Sequence, residues 1–267
     1  MKISTVIKKL SVVATGATLI TLAVAPQGKA ISLKDWIGVG TFGTLGANGV
    51  VTLSPQGDKQ YGYVSTDRGV IGVGLTGVGG SGSPANGSTV TSPFFKAKAG
   101  DVLKFYFNYI TSDGAGYSDY AWGRLLDASL SQVSLLFTAR TTPNGNTAPG
   151  FALPPLNATL TPATTSIIDG APVWSPLGSS SGTSFSKGSG YTGWIQASYT
   201  IPTSGTYALD FGTVNWNDRG YQSGLAFDGA SINGAPLIGD PPTTPEPSSL
   251  LGLLVLGGLG FVSLKRK

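Results

Sequence analysis

The sequence predicts an all-β fold, an antiparallel jelly-roll-like β-sandwich over residues 31–241. Three observations carry that reading. Val102 to Ile110 reads VLKFYFNYI, with Leu103, Phe105, Phe107 and Tyr109 on one face and Lys104, Tyr106 and Asn108 on the other. That period of two marks a half-buried antiparallel strand. Between residues 31 and 241 no run of ten or more residues keeps helical spacing. Composition agrees, since 40 of the 267 residues are glycine, 11% are charged and 10% are aromatic. A disordered chain would carry more charge and fewer aromatics. Short strands, glycine turns and alternating aromatics suit two sheets packed face to face. A domain of this length buries enough surface to be stable unaided.

The chain begins differently. Met1 to Lys9 carries three lysines, and Leu10 to Ala25 is apolar and small. These are the charged and apolar regions of a secretory signal peptide. Small residues suited to cleavage stand at Ala23-Val24-Ala25 and at Gly28-Lys29-Ala30. The first would leave Pro26 just after the cut, so cleavage is expected after Ala30 and residues 1–30 form the signal. The alternative is an N-terminal anchor helix.

From Trp36 to Gly80 short apolar runs alternate with glycines. Gly38 to Gly43 and Gly72 to Gly77 both match G-x-G-x-x-G, a dinucleotide fingerprint when a strand precedes it and a helix follows. Neither opens an amphipathic helix, and the second runs into VGGSGSPANGST, so both read as glycine turns between strands. Beyond the strand at 102–110, AWGRLLD and QVSLLFTA resume the β pattern. Residues 141–190, rich in Pro, Ser, Thr and Gly, read as a long irregular excursion, part of which Trp174 holds against the domain. Strands return in GYTGWIQASYTI, GTYALDFGTVNWND and SGLAFDGASING; in the second, Tyr207, Leu209 and Phe211 share a face.

The net charge of +4 belongs to the termini. Lys2, Lys8, Lys9, Lys29, Lys265, Arg266 and Lys267 supply 7 of the 17 basic residues. Residues 31–241 hold 10 Lys and Arg against 12 Asp, so the body offers no basic face and nucleic acid is not an expected partner. Cysteine and histidine are absent, which excludes disulfides, Cys/His metal sites and His-dependent catalysis.

The last 26 residues, 242–267, close on TTPEPSSLLGLLVLGGLGFVSLKRK, and Glu246 is the one glutamate of the protein. An apolar helix is expected over about 248–264. Its uninterrupted apolar part, Leu250 to Leu264, would span about 22 Å as a helix, against about 30 Å of hydrocarbon. Gly252, Gly257, Gly258 and Gly260 weaken that helix further. The basic end, Lys265, Arg266 and Lys267, would stay cytoplasmic. A short tail behind a motif has the logic of a transient membrane hold followed by processing. Pro245, Glu246 and Pro247, the glycine-rich apolar stretch and the basic end together resemble a PEP-CTERM sorting signal. The resemblance covers residues 243–267. It implies an exported protein of a Gram-negative or cyanobacterial cell, held in the inner membrane while exosortase, a transpeptidase-like membrane enzyme, acts on it. The expected destination is the cell surface or the extracellular polysaccharide matrix. Within the body, GDVLKFYFNYITSDGAGYSDYAW and NWNDRGYQSGLAFDGASI resemble segments of the β-sandwich ectodomains joined to such tails.

No constellation in the body points to catalysis. Glycoside hydrolysis needs two carboxylates flanking the bond, and the spacing of the aspartates singles out no such pair. The protein is therefore expected to be non-enzymatic. A carbohydrate-binding module of the exopolysaccharide matrix is the alternative, and a glycan hydrolase is the third reading. No cofactor is implied, except that Asp113 and Asp119 in SDGAGYSD would suit Ca²⁺, which takes six to eight oxygens. Turn formation by the same aspartates is the competing explanation. Any exposed members of the five tryptophans and ten tyrosines could stack on sugar rings, though most are expected to be core or half-buried sheet residues. Sequence does not say which of them face water.

Overall fold

The computed structural model describes residues 32–56, 58–115 and 119–237. The expected signal, with its Ala30 cleavage site, and the tail over 242–267 lie outside the described residues. Among these residues the regular structure is fifteen strands and one 3₁₀ turn. β1 (Ile37–Val39), β2 (Thr41–Leu45), β3 (Tyr61–Ser65), β4 (Pro84–Thr91) and β5 (Phe95–Ala97) come first. The long strands β6 (Val102–Thr111), β7 (Tyr120–Asp127) and β8 (Gln132–Arg140) follow. Then come β9 (Thr159–Thr161), β10 (Ile168–Asp169), the 3₁₀ turn at Ser175–Ser180 and β11 (Gly190–Tyr191). β12 (Ile195–Thr200), β13 (Gly205–Trp216), β14 (Ser223–Ile232) and β15 (Ala235–Pro236) complete the chain. No described helix is long and apolar enough to cross a membrane.

Two antiparallel sheets form. The smaller has the order β1-β4-β13-β7-β8, with β5 also on β13. The larger has the order β10-β11-β6-β14-β3-β2, with β12 on β6, β9 on β12 and β15 on β14. Their inner faces meet because each long strand turns alternate apolar residues inward. Leu103, Phe105, Phe107 and Tyr109 of β6 are all buried, as are Tyr207, Leu209 and Phe211 of β13. Aromatic stacks cross the interface: Phe107 lies 3.7 Å from Phe137 at 8°, and Phe211 lies 4.3 Å from Phe227 at 16°. Trp36, just before β1, closes the same core against Phe211 and Phe227.

The outer faces are also partly covered. Val51, Trp174 and Leu177, from two loops, pack over Tyr61, Ile110 and Ala226 outside the larger sheet. Val73, aided by Leu75 and Leu153, packs over Tyr120, Trp122, Val214 and Trp216 outside the smaller one. Trp122 lies so close across β13 that a Cβ on Gly212 would come within 2.1 Å of its ring.

The two ends of the sandwich differ. Thr111, Tyr120, Trp216 and Ser223 gather at one end, where β6 and β13 finish and β7 and β14 begin. The opposite end holds the start of β6, the start of β13 and the end of β14. The described segment both begins and ends toward that second end. β15 pairs with the last residues of β14, and Asn233 bonds to Val102. By its pairing with β4, β1 runs toward the first end, so the chain enters it from the second. At about 3.3 Å per residue, the length of β6 puts about 30 Å between the two ends.

Candidate functional site

A pocket of about 370 Å³ opens at the first of these ends, lined by Asp113, Phe185, Asp218, Gly220 and Tyr221. Three segments far apart in sequence build it, and backbone hydrogen bonds stitch them together. Phe185 N–H donates to the Ser112 carbonyl at 3.0 Å, and Ser112 N–H donates to the Gln222 carbonyl at 3.0 Å. Asp218 caps its own turn by accepting the Gly220 N–H at 2.7 Å. The β13–β14 connection holds Asn217 at φ 75° and Tyr221 at φ 46°, left-handed conformations that cost energy in residues with a Cβ. The result is an aromatic pair at the rim. The rings of Phe185 and Tyr221 sit 5.0 Å apart at 59°, and the residues are 45% and 38% exposed.

Beneath the rim the pocket is acidic. Asp113 is 3% exposed. One of its oxygens, Oδ1, accepts the Gly114 N–H at 2.7 Å, while Oδ2 is buried with no hydrogen-bond partner. Burial pushes the Asp113 carboxyl up to about 7, against the pull of the Gly114 N–H and with help from the charge of Asp218. Asp119 lies deeper, at 2% exposure. Its Oδ1 accepts the Trp216 N–H and its Oδ2 accepts the Ser223 hydroxyl, both at 2.7 Å. Burial, then the charge of Asp113, raise Asp119 well above the usual carboxylate range. Tyr109 donates to the Asp119 carbonyl at 2.8 Å, and burial raises its phenol as well. Among the described residues neither Asp113 nor Asp218 makes an ion pair; the pairs found there are Arg68–Asp67 and Arg124–Asp210.

The structure thus brings Asp113 and Asp119 into one acidic cluster and adds Asp218 to it. Both oxygens of Asp119 are already engaged by protein donors. Among the described residues no group of three or more acidic side chains is placed to hold a metal ion. Asp228 sits apart from this cluster, bonded to the Ser54 hydroxyl in the larger sheet. Trp36, Trp122, Trp174 and Trp216 are buried, and Trp194 is half-buried, its indole donating to the Thr52 carbonyl. The aromatic rim is made instead by Phe185 and Tyr221, which sequence reasoning did not single out. The one signal for them is a large aromatic set among turn-forming residues, where no strand can bury it. Pro245, Glu246, Pro247, Lys265, Arg266 and Lys267 lie outside the described residues.

Comparison with known proteins adds one specific match. Residues 243–267 match the family model described as the PEP-CTERM protein-sorting motif. No curated protein matches the chain. Among solved structures, the K1 cleaved adhesin domain of Lys-gingipain from Porphyromonas gingivalis W83 is 12% identical with a TM-score of 0.33, covering 74% of this chain and 89% of that one. The α-L-arabinofuranosidase MgGH51 is 10% identical with a TM-score of 0.30, covering 77% and 26%. A CBM4 structure is 8% identical with a TM-score of 0.27, covering 75% and 94%. Likenesses this distant say nothing about what the chain binds. The chain is a β-sandwich protein with a PEP-CTERM sorting motif at its C-terminus.

Proposed function

We propose that this chain is a non-enzymatic exported protein of the cell surface or extracellular matrix of a Gram-negative or cyanobacterial cell. Residues 1–30 direct export and are removed after Ala30. The tail then holds the protein in the inner membrane, with Lys265, Arg266 and Lys267 on the cytoplasmic side. Exosortase acts near Pro245-Glu246-Pro247 and hands the sandwich to the outside. The match at residues 243–267 is the observation that carries this reading. The fold suits it: the described segment begins and ends toward one end of the sandwich, and the acidic pocket lies at the other, about 30 Å away. Mass spectrometry of the mature protein from its own cells tests the sorting step. A C-terminus just after the Pro-Glu-Pro region in the wild type, and an unprocessed chain in Glu246→Ala, are expected. A wild-type protein still ending at Lys267 sinks the proposal.

A second reading, carbohydrate binding, is favoured by the exposed pair Phe185 and Tyr221 at the pocket rim. Aromatic faces take the C–H face of a sugar, and nearby carboxylates accept hydrogen bonds from its hydroxyls. The same pocket argues against hydrolysis. A glycosidase acid must present its proton to the glycosidic oxygen, whereas Asp113 Oδ2 is buried and Oδ1 is held by the Gly114 N–H.

A further inference from the structure

The pocket at the first end combines three properties that together select for charge in a ligand. Two carboxylates, Asp113 and Asp218, line one small space, and neither has a basic partner among the described residues. Asp113 is nearly sealed from water and keeps one oxygen without any hydrogen bond. Native proteins rarely leave a buried charged acceptor unsatisfied unless something else completes it. The third property is the rim: an aromatic pair half open to solvent lines the same space as these acids. The faces of aromatic rings carry negative potential and attract cations. Carboxylates and aromatic rings around one space therefore favour a positive group over a neutral or negative one.

We infer that the pocket of Asp113, Asp218, Phe185 and Tyr221 binds a cationic amino-sugar unit, such as a deacetylated hexosamine in a polysaccharide. The inference rests on the carbohydrate-binding reading and sharpens it to a ligand charge. The sugar ring packs on Tyr221 and Phe185. Its ammonium group sits toward Asp218, which is exposed, while Asp113 contributes its charge from beneath. Bare Ca²⁺ suits this site less well, because aromatic walls offer no oxygen ligands and Asp119 has spent both oxygens on Trp216 and Ser223. The charged groups of the surrounding loops are consistent with an occupant from outside. Arg219 points into solvent from the same turn as Asp218, and Lys187 lines the neighbouring pocket with Asp169 rather than this one.

Titration calorimetry of the purified full chain in detergent tests this with four probes: glucosamine oligomers, their N-acetylated forms, neutral glucose oligomers and CaCl₂ alone. Glucosamine oligomers should bind about tenfold or more tighter than either of the other sugars. Asp218→Asn should remove that preference, and Tyr221→Ala should weaken all sugar binding, with circular dichroism confirming that both variants fold. Asp113→Asn, which keeps the shape of the floor, should weaken the cationic sugar alone. Equal binding of charged and neutral sugars that depends on Tyr221 overturns the charge selectivity and leaves carbohydrate binding standing. No sugar binding at all overturns both. Binding of CaCl₂ alone that is lost in Asp218→Asn overturns the amino-sugar assignment in favour of a metal site.

Discussion

Neutralising Asp113 should stabilise the protein, and only at the pH where its charge is present. The carboxyl is held up to about 7 in the folded chain, first by burial and then by the charge of Asp218, against 3.8 for a free side chain. Between those two values the folded state binds more protons than the unfolded one. Stability therefore falls as pH climbs through that window and is flat above it. Taken whole, the difference would amount to about 4 kcal/mol at pH 8. Asp113 borders a pocket open to water, and screening there reduces the effect to about 1–2 kcal/mol. Asp113→Asn keeps the Gly114 contact and removes the charge. It also relieves Asp119, which the charge of Asp113 pushes in the same direction. Thermal unfolding of both proteins at pH 4 and pH 8 reads the outcome. At pH 8 the variant should melt about 2–8 °C higher, while at pH 4 the two should nearly coincide. A variant that melts lower at pH 8, or gains equally at both pH values, would refute the reasoning.

Two further outcomes follow from packing outside the main core. Trp174→Ala should cost about 3–5 kcal/mol, because Trp174 is fully buried, donates to the Tyr61 hydroxyl at 2.9 Å and packs edge-on against Tyr63. Limited proteolysis should then cut within residues 171–183 at protease levels that leave the wild type intact. Asp210→Ala should cost about 3–5 kcal/mol by urea unfolding. It deprives Arg124 of a 2.6 Å partner, leaves Trp122 Nε1–H and the Thr91 hydroxyl without their acceptor, and leaves the Thr89 hydroxyl only the Phe211 carbonyl at 3.0 Å. Asp210→Asn, which retains the shape, should cost less.

How far sequence could foresee this depended on how many faces of a strand are buried. β6 is buried on one face for its first half, so VLKFYFNYI alternates cleanly and its inward set is correct residue by residue. β13 shows the same for Tyr207, Leu209 and Phe211. The pattern blurs in AWGRLLD and QVSLLFTA for two physical reasons. The outer face there is covered by Val73, Leu75 and Leu153, so both parities become apolar. The β7–β8 pairing also slips at Gly123/Arg124 and Leu125/Leu126, which moves side chains from one face to the other. The glycine-rich matches to a nucleotide fingerprint are resolved by the same physics. Gly38 to Gly43 runs through β1 and β2, and Gly72 to Gly77 lies in the turns that wrap the smaller sheet.

The site was less legible because its logic inverts the rule that finds strands. Periodicity locates residues that leave water, and most of the tryptophans are expected in the core, where four of the five lie. Phe185 and Tyr221 stay half exposed because each is fixed by its backbone rather than by its side chain. Phe185 is tied down through the Ser112 carbonyl, and Tyr221 by a left-handed φ at the end of a turn. No spacing links positions 185 and 221. The carboxylates are a harder case still: Asp113, Asp119 and Asp218 are the residues that turns use everywhere, and Asp218 does cap one. What separates Asp113 from an ordinary turn aspartate is an oxygen that the fold buries and leaves without a donor. That property arises when the excursion at 141–190 returns across the end of the sandwich, and it exists nowhere in the local sequence. A positive charge held in the pocket would offset the charge of that carboxylate through space, without reaching the buried oxygen.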